Sequence, residues 1–351
     1  MDHLDIMLQN TSAWLKNVDE QAGIVISSRI RLARNLADFP FSVRMSDSDR
    51  STTVTRLNQI IKDCPACQHF HSFSMEELDE PDRLFLMERH LISRELAEGK
   101  GARGVLISPD EEFSIMINEE DHLRIQVVKS GFNLEAAWED ADALDDQIES
   151  RAVYAWHPEL GYLTACPTNV GTGMRVSLMM HLPALKMTRQ FVRMHQSLQK
   201  ISLTVRGLYG EGSQALGDFY QISNQTTLGM TEQDLLKQVI DVTNSVIGYE
   251  THARKHLLDT NKTQLLAEID DSISFLRTAE VITLEETLRS LSLIRMGIQM
   301  NLIHNIPLSL VNTLSINAQP AHLERIFSGI FSSGDINIFR AQYLQKQMLQ
   351  I

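Results

Sequence analysis

Cysteine is scarce in this chain, positive charge is in deficit and long apolar runs are missing. Each shortage removes a class of protein. Three cysteines among 351 residues are too few for a disulfide framework and, with no export signal, point to a reducing, cytoplasmic setting. Cys64-Pro65-Ala66-Cys67, with His69 and His71 close behind, resembles half a metal site, but no second cysteine pair completes it. The plainer reading is a turn after a helix with two neighbouring thiols; a redox-sensitive pair or a metal shared with a partner is the alternative. No uncharged apolar segment is long enough to span a membrane, and Met1-Asp2-His3-Leu4-Asp5 lacks the basic start of a signal peptide. Lys and Arg number 32 against 45 Asp and Glu, a net charge of −13. That excess argues against a general nucleic-acid binder, yet it leaves room for a basic pocket. A Gly-Lys-Ser/Thr phosphate loop is absent, as are His-Arg-Asp and Asp-Phe-Gly, which excludes P-loop and eukaryotic-type kinase chemistry. There is no internal repeat and no low-complexity tract.

What remains is 43% hydrophobic, enough for one large domain and a smaller one. Up to about Lys129 the pattern is mixed. Ile24–Ile26 is a short strand. Ser74-Met75-Glu76-Glu77 reads as a capping box ahead of a helix through Leu84, Leu86 and Leu91. Phe113–Ile117 and Ile125–Val128 read as strands paired across the polar turn Asn118–His122. Asn133–Ser150 is an acidic helix. Gly161–Ala165 reads as a strand leading into the Gly-rich turn Cys166–Arg175, and His181–Lys200 as one amphipathic helix. Leu203–Val205 and Phe219–Ser223 are strands flanking Arg206–Ser213, whose three glycines suggest a mobile loop. Short links without regular strand–helix alternation favour an α+β fold, a largely antiparallel sheet with helices packed on it. Thr231-Glu232-Gln233-Asp234 and Thr283-Leu284-Glu285-Glu286 are capping boxes, and Leu284, Leu288, Leu291 and Ile294 recur at helical spacing. The expected division is a catalytic domain over 1–245 and an all-α region over 246–351.

Four segments carry chemistry. In Ser27-Ser28-Arg29-Ile30-Arg31-Leu32-Ala33-Arg34, an extended chain puts Arg29 and Arg31 on one face, where they repel unless an anion lies between them. In Asn118-Glu119-Glu120-Asp121-His122-Leu123-Arg124, three successive carboxylates call for a bound cation or a solvated turn. The turn Cys166-Pro167-Thr168-Asn169-Val170-Gly171-Thr172-Gly173-Met174-Arg175 reads as an anion cradle edged by a guanidinium. In the fourth segment Glu211 stands between glycines, suited to closing over a substrate. Arg29, Arg31, Arg124, Arg175 and Arg206 can neutralise phosphate oxygens, while Glu120 and Glu211 can orient and deprotonate a guanidinium.

These segments together resemble the signature segments of the ATP:guanidino phosphotransferases, the phosphagen kinases, over roughly residues 20–250. Within that family, Arg206–Ser213 and Tyr220–Gln225 look like the bacterial protein arginine kinases, whereas creatine and free-arginine kinases carry a basic residue where Tyr209 stands. The resemblance implies a phosphagen-kinase (glutamine-synthetase-like) catalytic domain and a C-terminal helical domain. It further implies that Ser27, Ser28, Arg29, Ile30, Arg31, His90, Arg124 and Arg175 bind ATP, with Val176, Ser177, Leu178, Met179 and Arg206, Gly207, Leu208, Tyr209 and Gly210 lining the same site. Glu120 and Glu211 would clamp the guanidinium, Glu120 as base, and Cys166 would tune it. Mg²⁺ would ride on the phosphates, with no dedicated protein metal site.

Small-metabolite members carry a helical domain before the first arginine motif, which begins here at Ser27, so an open pocket accepting arginine on a protein is expected. The implied partners are protein substrates, a Clp ATPase, a zinc-binding activator protein and a second copy of the chain; neither nucleic acid nor membrane is expected. A free-arginine kinase and a non-catalytic arginine or phosphoarginine adaptor are the alternatives. One departure stands out. The phosphoarginine-reading motif Arg-Asp-x-x-Arg-Ala of the bacterial enzymes is Ile336-Asn337-Ile338-Phe339-Arg340-Ala341 here, keeping only Arg340 and Ala341.

Overall fold

The computed structural model describes residues 3–15, 23–207, 216–329 and 331–349. Ten strands are present among them: β1 (Val25–Arg34), β2 (His71–Ser74), β3 (Gly104–Ile107), β4 (Phe113–Ile117), β5 (Leu123–Ser130), β6 (Trp156–His157), β7 (Gly161–Tyr162), β8 (Met174–His181), β9 (Leu203–Gly207) and β10 (Phe219–Asn224). Eight of them form one sheet in the order β2-β3-β4-β5-β1-β8-β10-β9, and β6 with β7 forms a separate ribbon. Every pairing is antiparallel, in agreement with the α+β reading.

The first strand of the chain is thus central, between β5 and β8, and its alternation sorts the whole sheet. Ile30 and Leu32 point to a core shared with Ile125, Val127, Val176, Leu178 and Ile222, all buried. Arg29 and Arg31 point the other way. The apolar face is covered by α5 (Leu134–Glu149) and the first part of α8 (Glu232–Thr278).

Helices α1 (His3–Gln9), α2 (Asp47–Lys62), α3 (Glu80–Glu88), α4 (Arg94–Glu98), α6 (Pro183–Met187) and α7 (Phe191–Gln199) complete the first part. Helices α9 (Leu284–Gln299), α10 (Leu308–Asn317), α11 (Pro320–Phe327) and α12 (Ser333–Met348) follow α8. The capping boxes at Thr231 and Thr283 both form, with the side chain of Asp234 or Glu286 returning to the cap. Residue 246 lies inside α8, whose backbone departs from helical geometry at Asn261 (φ −134°).

Several local expectations are corrected. Ser74 ends β2 opposite Gly104, so ladder pairing overrides its capping pattern. Helix α3 instead starts at Asp79, whose side chain accepts from Asp82 N, with Pro81 in the first turn. It ends at Glu88, and His90 (φ 60°) turns the chain before Leu91. Only Gly161 and Tyr162 of the 161–165 segment are strand, because Leu163 N and Ala165 N donate to Ala155 O and the Asp121 carboxylate. The 181–200 segment is the end of β8 followed by two helices, broken by Pro183 and by Arg189 at φ 59°.

Candidate active site

Strand register assembles the charged face. Arg31 lies opposite Arg175 on β8 and Gln126 on β5, while Arg124 lies opposite Ala33, one pleat along. Arg29 is opposite Ser177, and Ser223 and Gln221 of β10 continue the row to Arg206 on β9. Five arginines from four strands therefore share one face. Arg29 donates to Ser177 Oγ (3.3 Å) and Gln221 Oε1 (2.6 Å), both neutral, and Arg175 Nη2 donates to Ser223 Oγ (3.1 Å). Burial, with Arg175 and Arg124 adding repulsion, pulls the Arg29 guanidinium down to about 10. Arg31 is lowered further by burial and by Arg29, Arg124 and Arg175. Its Nε is buried without a hydrogen-bond partner. Clustered guanidiniums with an orphaned donor are an anion site in waiting, since only negative charge repays their desolvation.

Beside Arg29 a recess is lined by Trp14, Ser27, His90, Val128, Ser177, Met179 and Gln221. The sequence-derived nucleotide residues Ser27, His90, Ser177 and Met179 are brought together here. Ser28, Ile30, Val176 and Leu178 are not: their side chains are buried on the opposite face, and Ser28 Oγ is committed to Gly131 O and Asn133 N. Period-two alternation excludes these side chains from the charged face. Gly207 ends β9 opposite Tyr220. Leu208, Tyr209, Gly210 and Glu211 fall outside the described residues. Trp14, Gln126, Gln221 and Ser223 were missed by sequence reasoning. The polar alternation of Gln221 and Ser223 along β10 was their available signal; Trp14 had none.

The β4–β5 turn sits at the edge of this face. Arg124 Nη1 donates to Glu119 Oε1 (2.5 Å) and Nη2 to Glu120 Oε2 (3.2 Å), so two of the three carboxylates share one guanidinium. Glu119 is fully enclosed, taking Ser93 Oγ (2.5 Å) as well. Glu120 remains 40% exposed at its side chain. Burial raises its pKa, opposed mainly by Arg124, and a hydrogen bond from the Cys166 side chain also favours its charged form. Cys166 in turn lies 3.1 Å from Thr168 Oγ1. A half-exposed carboxylate and a thiol thus adjoin a field of guanidiniums.

The glycines of the Cys166–Arg175 turn sit where other backbone segments pass close by. A Cβ on Gly173 (φ 63°) would lie 2.6 Å from Ala33 O, and one on Gly171 (φ 116°) 2.8 Å from Thr227 O. Gly171 N donates to Tyr162 O. Close crossing of backbones therefore demands these glycines. Cys64 and Cys67 are buried in the main core as free thiols, with Cys67 pushed up to about 12 by burial. Among the described residues no cluster of His, Cys, Asp or Glu could hold a metal, and no helix is long and apolar enough to cross a membrane.

A family model described as the ATP:guanido phosphotransferase C-terminal catalytic domain matches residues 53–253, more than half of the chain. The chain belongs to the ATP:guanido phosphotransferase family. A second model, the protein-arginine kinase McsB C-terminal domain, matches residues 262–351 of this phosphotransferase. The protein-arginine kinase of Halothermothrix orenii is 40% identical over 98% of both chains, and that of Symbiobacterium thermophilum 41% identical over 92% of both. Among solved structures, lombricine kinase aligns with a TM-score of 0.58 at 25% identity over 70% of both chains. The duplicated taurocyamine kinase of Schistosoma mansoni reaches a TM-score of 0.60 at 22% identity over 77% of this chain and 42% of that one, a likeness of fold alone.

Proposed function

We infer that this chain phosphorylates arginine side chains of proteins, with ATP as phosphoryl donor. The observation that carries the reading is the placement of Glu120 and Cys166 at the rim of a five-arginine sheet face. The curated relatives, named protein-arginine kinases and matched over nearly their full length, support protein as the acceptor.

In this reading Arg29, Arg31, Arg124, Arg175 and Arg206 hold the phosphates and neutralise charge on the transferred group. Ser27, His90, Ser177 and Met179 line the recess for the nucleoside. Glu120 accepts a proton from the substrate guanidinium as its nitrogen bonds the γ-phosphorus and the bond to the bridging oxygen of ADP breaks. Cys166 orients and tunes Glu120, and Glu211 closes the other side of the guanidinium. Mg²⁺ bound with the nucleotide would supply further charge neutralisation. A cytoplasmic setting suits the three free thiols. Delivery of marked proteins to a Clp ATPase, control by an activator protein and self-association through the C-terminal helices accord with this function.

The test is phosphoarginine detection by mass spectrometry under non-acidic conditions, because the P–N bond is acid-labile. Wild type with ATP should label an arginine-rich protein, and free arginine poorly. Turnover of free arginine at the higher kcat/KM would transfer the assignment to a metabolite kinase; no turnover of either would leave a binding adaptor.

A further inference from the structure

Three consecutive residues at the C-terminal end of α3, Glu88 and Arg89 buried and His90 partly so, are each tied to a different part of the molecule. Glu88 accepts from Ala321 N (3.0 Å) and His322 N (3.3 Å) at the start of α11, and its Oε2 lies 2.7 Å from His322 Nδ1. Arg89 makes a two-pronged pair with Glu111 (3.0 and 2.7 Å) and reaches Asn10 O (2.9 Å). His90 lines the recess beside Arg29, with its carbonyl accepting from Gln126 Nε2 (2.8 Å). At φ 60° His90 holds a conformation that non-glycine residues avoid. Such backbone persists only where its surroundings over-determine it.

Trp14, which also lines the recess, repeats the pattern. Trp14 meets His90 edge-on, with ring centroids 4.9 Å apart. Its neighbour Leu15 gives its carbonyl to Asn312 Nδ2 on α10 (3.3 Å), and Ile316 packs in the same cluster as Trp14, Met179 and Phe219. Arg340, the surviving arginine of the altered motif, donates to Ala318 O (2.7 Å) at the α10–α11 junction. It also donates to Ile282 O (3.0 Å) and Asn337, so it ties α12 to that junction and to the segment before α9.

We propose that Glu88 is a positioning residue through which α11 fixes the His90 part of the nucleotide recess, as Asn312 of α10 does for the Trp14 part. The proposal rests on the reading of that recess as the nucleotide site. It gives the C-terminal helices a part in ATP affinity although they supply no residue to the arginine face.

The test is titration of Mg·ADP into the full-length protein, paired with steady-state kinetics on an arginine-rich protein. Glu88→Ala should weaken ADP and raise the KM for ATP by about tenfold, within the usual range of intersite coupling, while the KM for the protein substrate stays put. Glu88→Gln, which retains an acceptor for Ala321 N and a donor for His322 Nδ1 and gives up only the longer contact with His322 N, should restore most of the wild-type affinity. If Glu88→Ala does not fold, Asn312→Ala carries the test and should also weaken ADP selectively. A folded Glu88→Ala variant that binds ADP as wild type does, or an equal loss for both substrates, overturns the proposal. Arg31→Ala separates the two readings: if it leaves ADP affinity unchanged, the assignment of the recess fails, whereas if it weakens ADP and Glu88→Ala does not, only the role of Glu88 fails.

Discussion

Of the five polar residues Asn118 to His122, four are consumed by the framework. Asn118 donates to Arg50 O and Ala102 O. Glu119 binds Arg124 and Ser93. Asp121 Oδ1 takes Asn35 Nδ2 and Ala165 N, both at 2.6 Å. His122 accepts from Leu36 N at Nδ1 and donates from Nε2 to Pro40 O, a neutral imidazole kept neutral by burial. Glu120 alone keeps its carboxylate toward solvent. The motif was legible in the sequence, but this division of labour was not, because Ser93, the second partner of Glu119, and both partners of Asp121 lie 26, 86 and 44 residues away. Glu120→Gln should therefore lower kcat by about 10²- to 10⁴-fold and leave the melting temperature unchanged. Asp121→Ala strands two buried donors and should cost about 1–3 kcal/mol of stability besides releasing the Cys166 turn. Equal stability of the two variants in urea titrations would refute this division. Burial, Asp121 and Glu119 raise the pKa of Glu120, and a base works deprotonated. The acid limb of the kcat/KM profile should then fall above the usual glutamate value and vanish in Glu120→Gln.

At the scale of elements, alternation was readable in β1 and in the β4–β5 hairpin, where charged and apolar residues take turns. At β8 it is legible only over Arg175–Leu178, before Met179-Met180 break it, and the strand is buried along nearly its whole length. The sheet order could not be read either, since β1 joins β5 and β8 only through long-range pairing. The backbone crossings at the Gly-rich turn were not legible, because a sequence shows a glycine but not the backbone that crosses it. Gly173→Ala separates the two explanations. A Cβ facing Ala33 O at 2.6 Å in a left-handed residue should destabilise the fold by at least the ~1–2 kcal/mol of the backbone penalty. An anion-cradle glycine would instead lose nucleotide affinity with stability intact, and denaturation beside ADP titration would tell which occurs.

The whole molecule is joined by carboxylates that grip helix starts across the fold. Glu250 of α8 accepts from Ala184 N and Leu185 N at the start of α6, as Glu88 does for α11. Capping boxes announced the local helix starts in the sequence, but these distant caps have no local pattern to announce them. Glu88 makes the docking of α11 sensitive to pH. Burial pushes its carboxyl up to about 8, with Glu324 adding to the rise and the two α11 amides and Arg340 opposing it. His322, lowered by burial, Arg89 and Arg325, stays neutral throughout. A folded-state pKa above the unfolded value of 4.5 means that the folded protein holds a proton the unfolded chain has released. The stabilisation is complete below pH 4.5 and is lost as pH climbs toward 8, with a limiting slope of about 1.4 kcal/mol per pH unit. Glu88→Gln carries no titrating group there, so the stability gap between it and wild type should widen in its favour from pH 6 to pH 9. Parallel stability curves for the two proteins across that interval would mean that Glu88 docks α11 as a permanent anion.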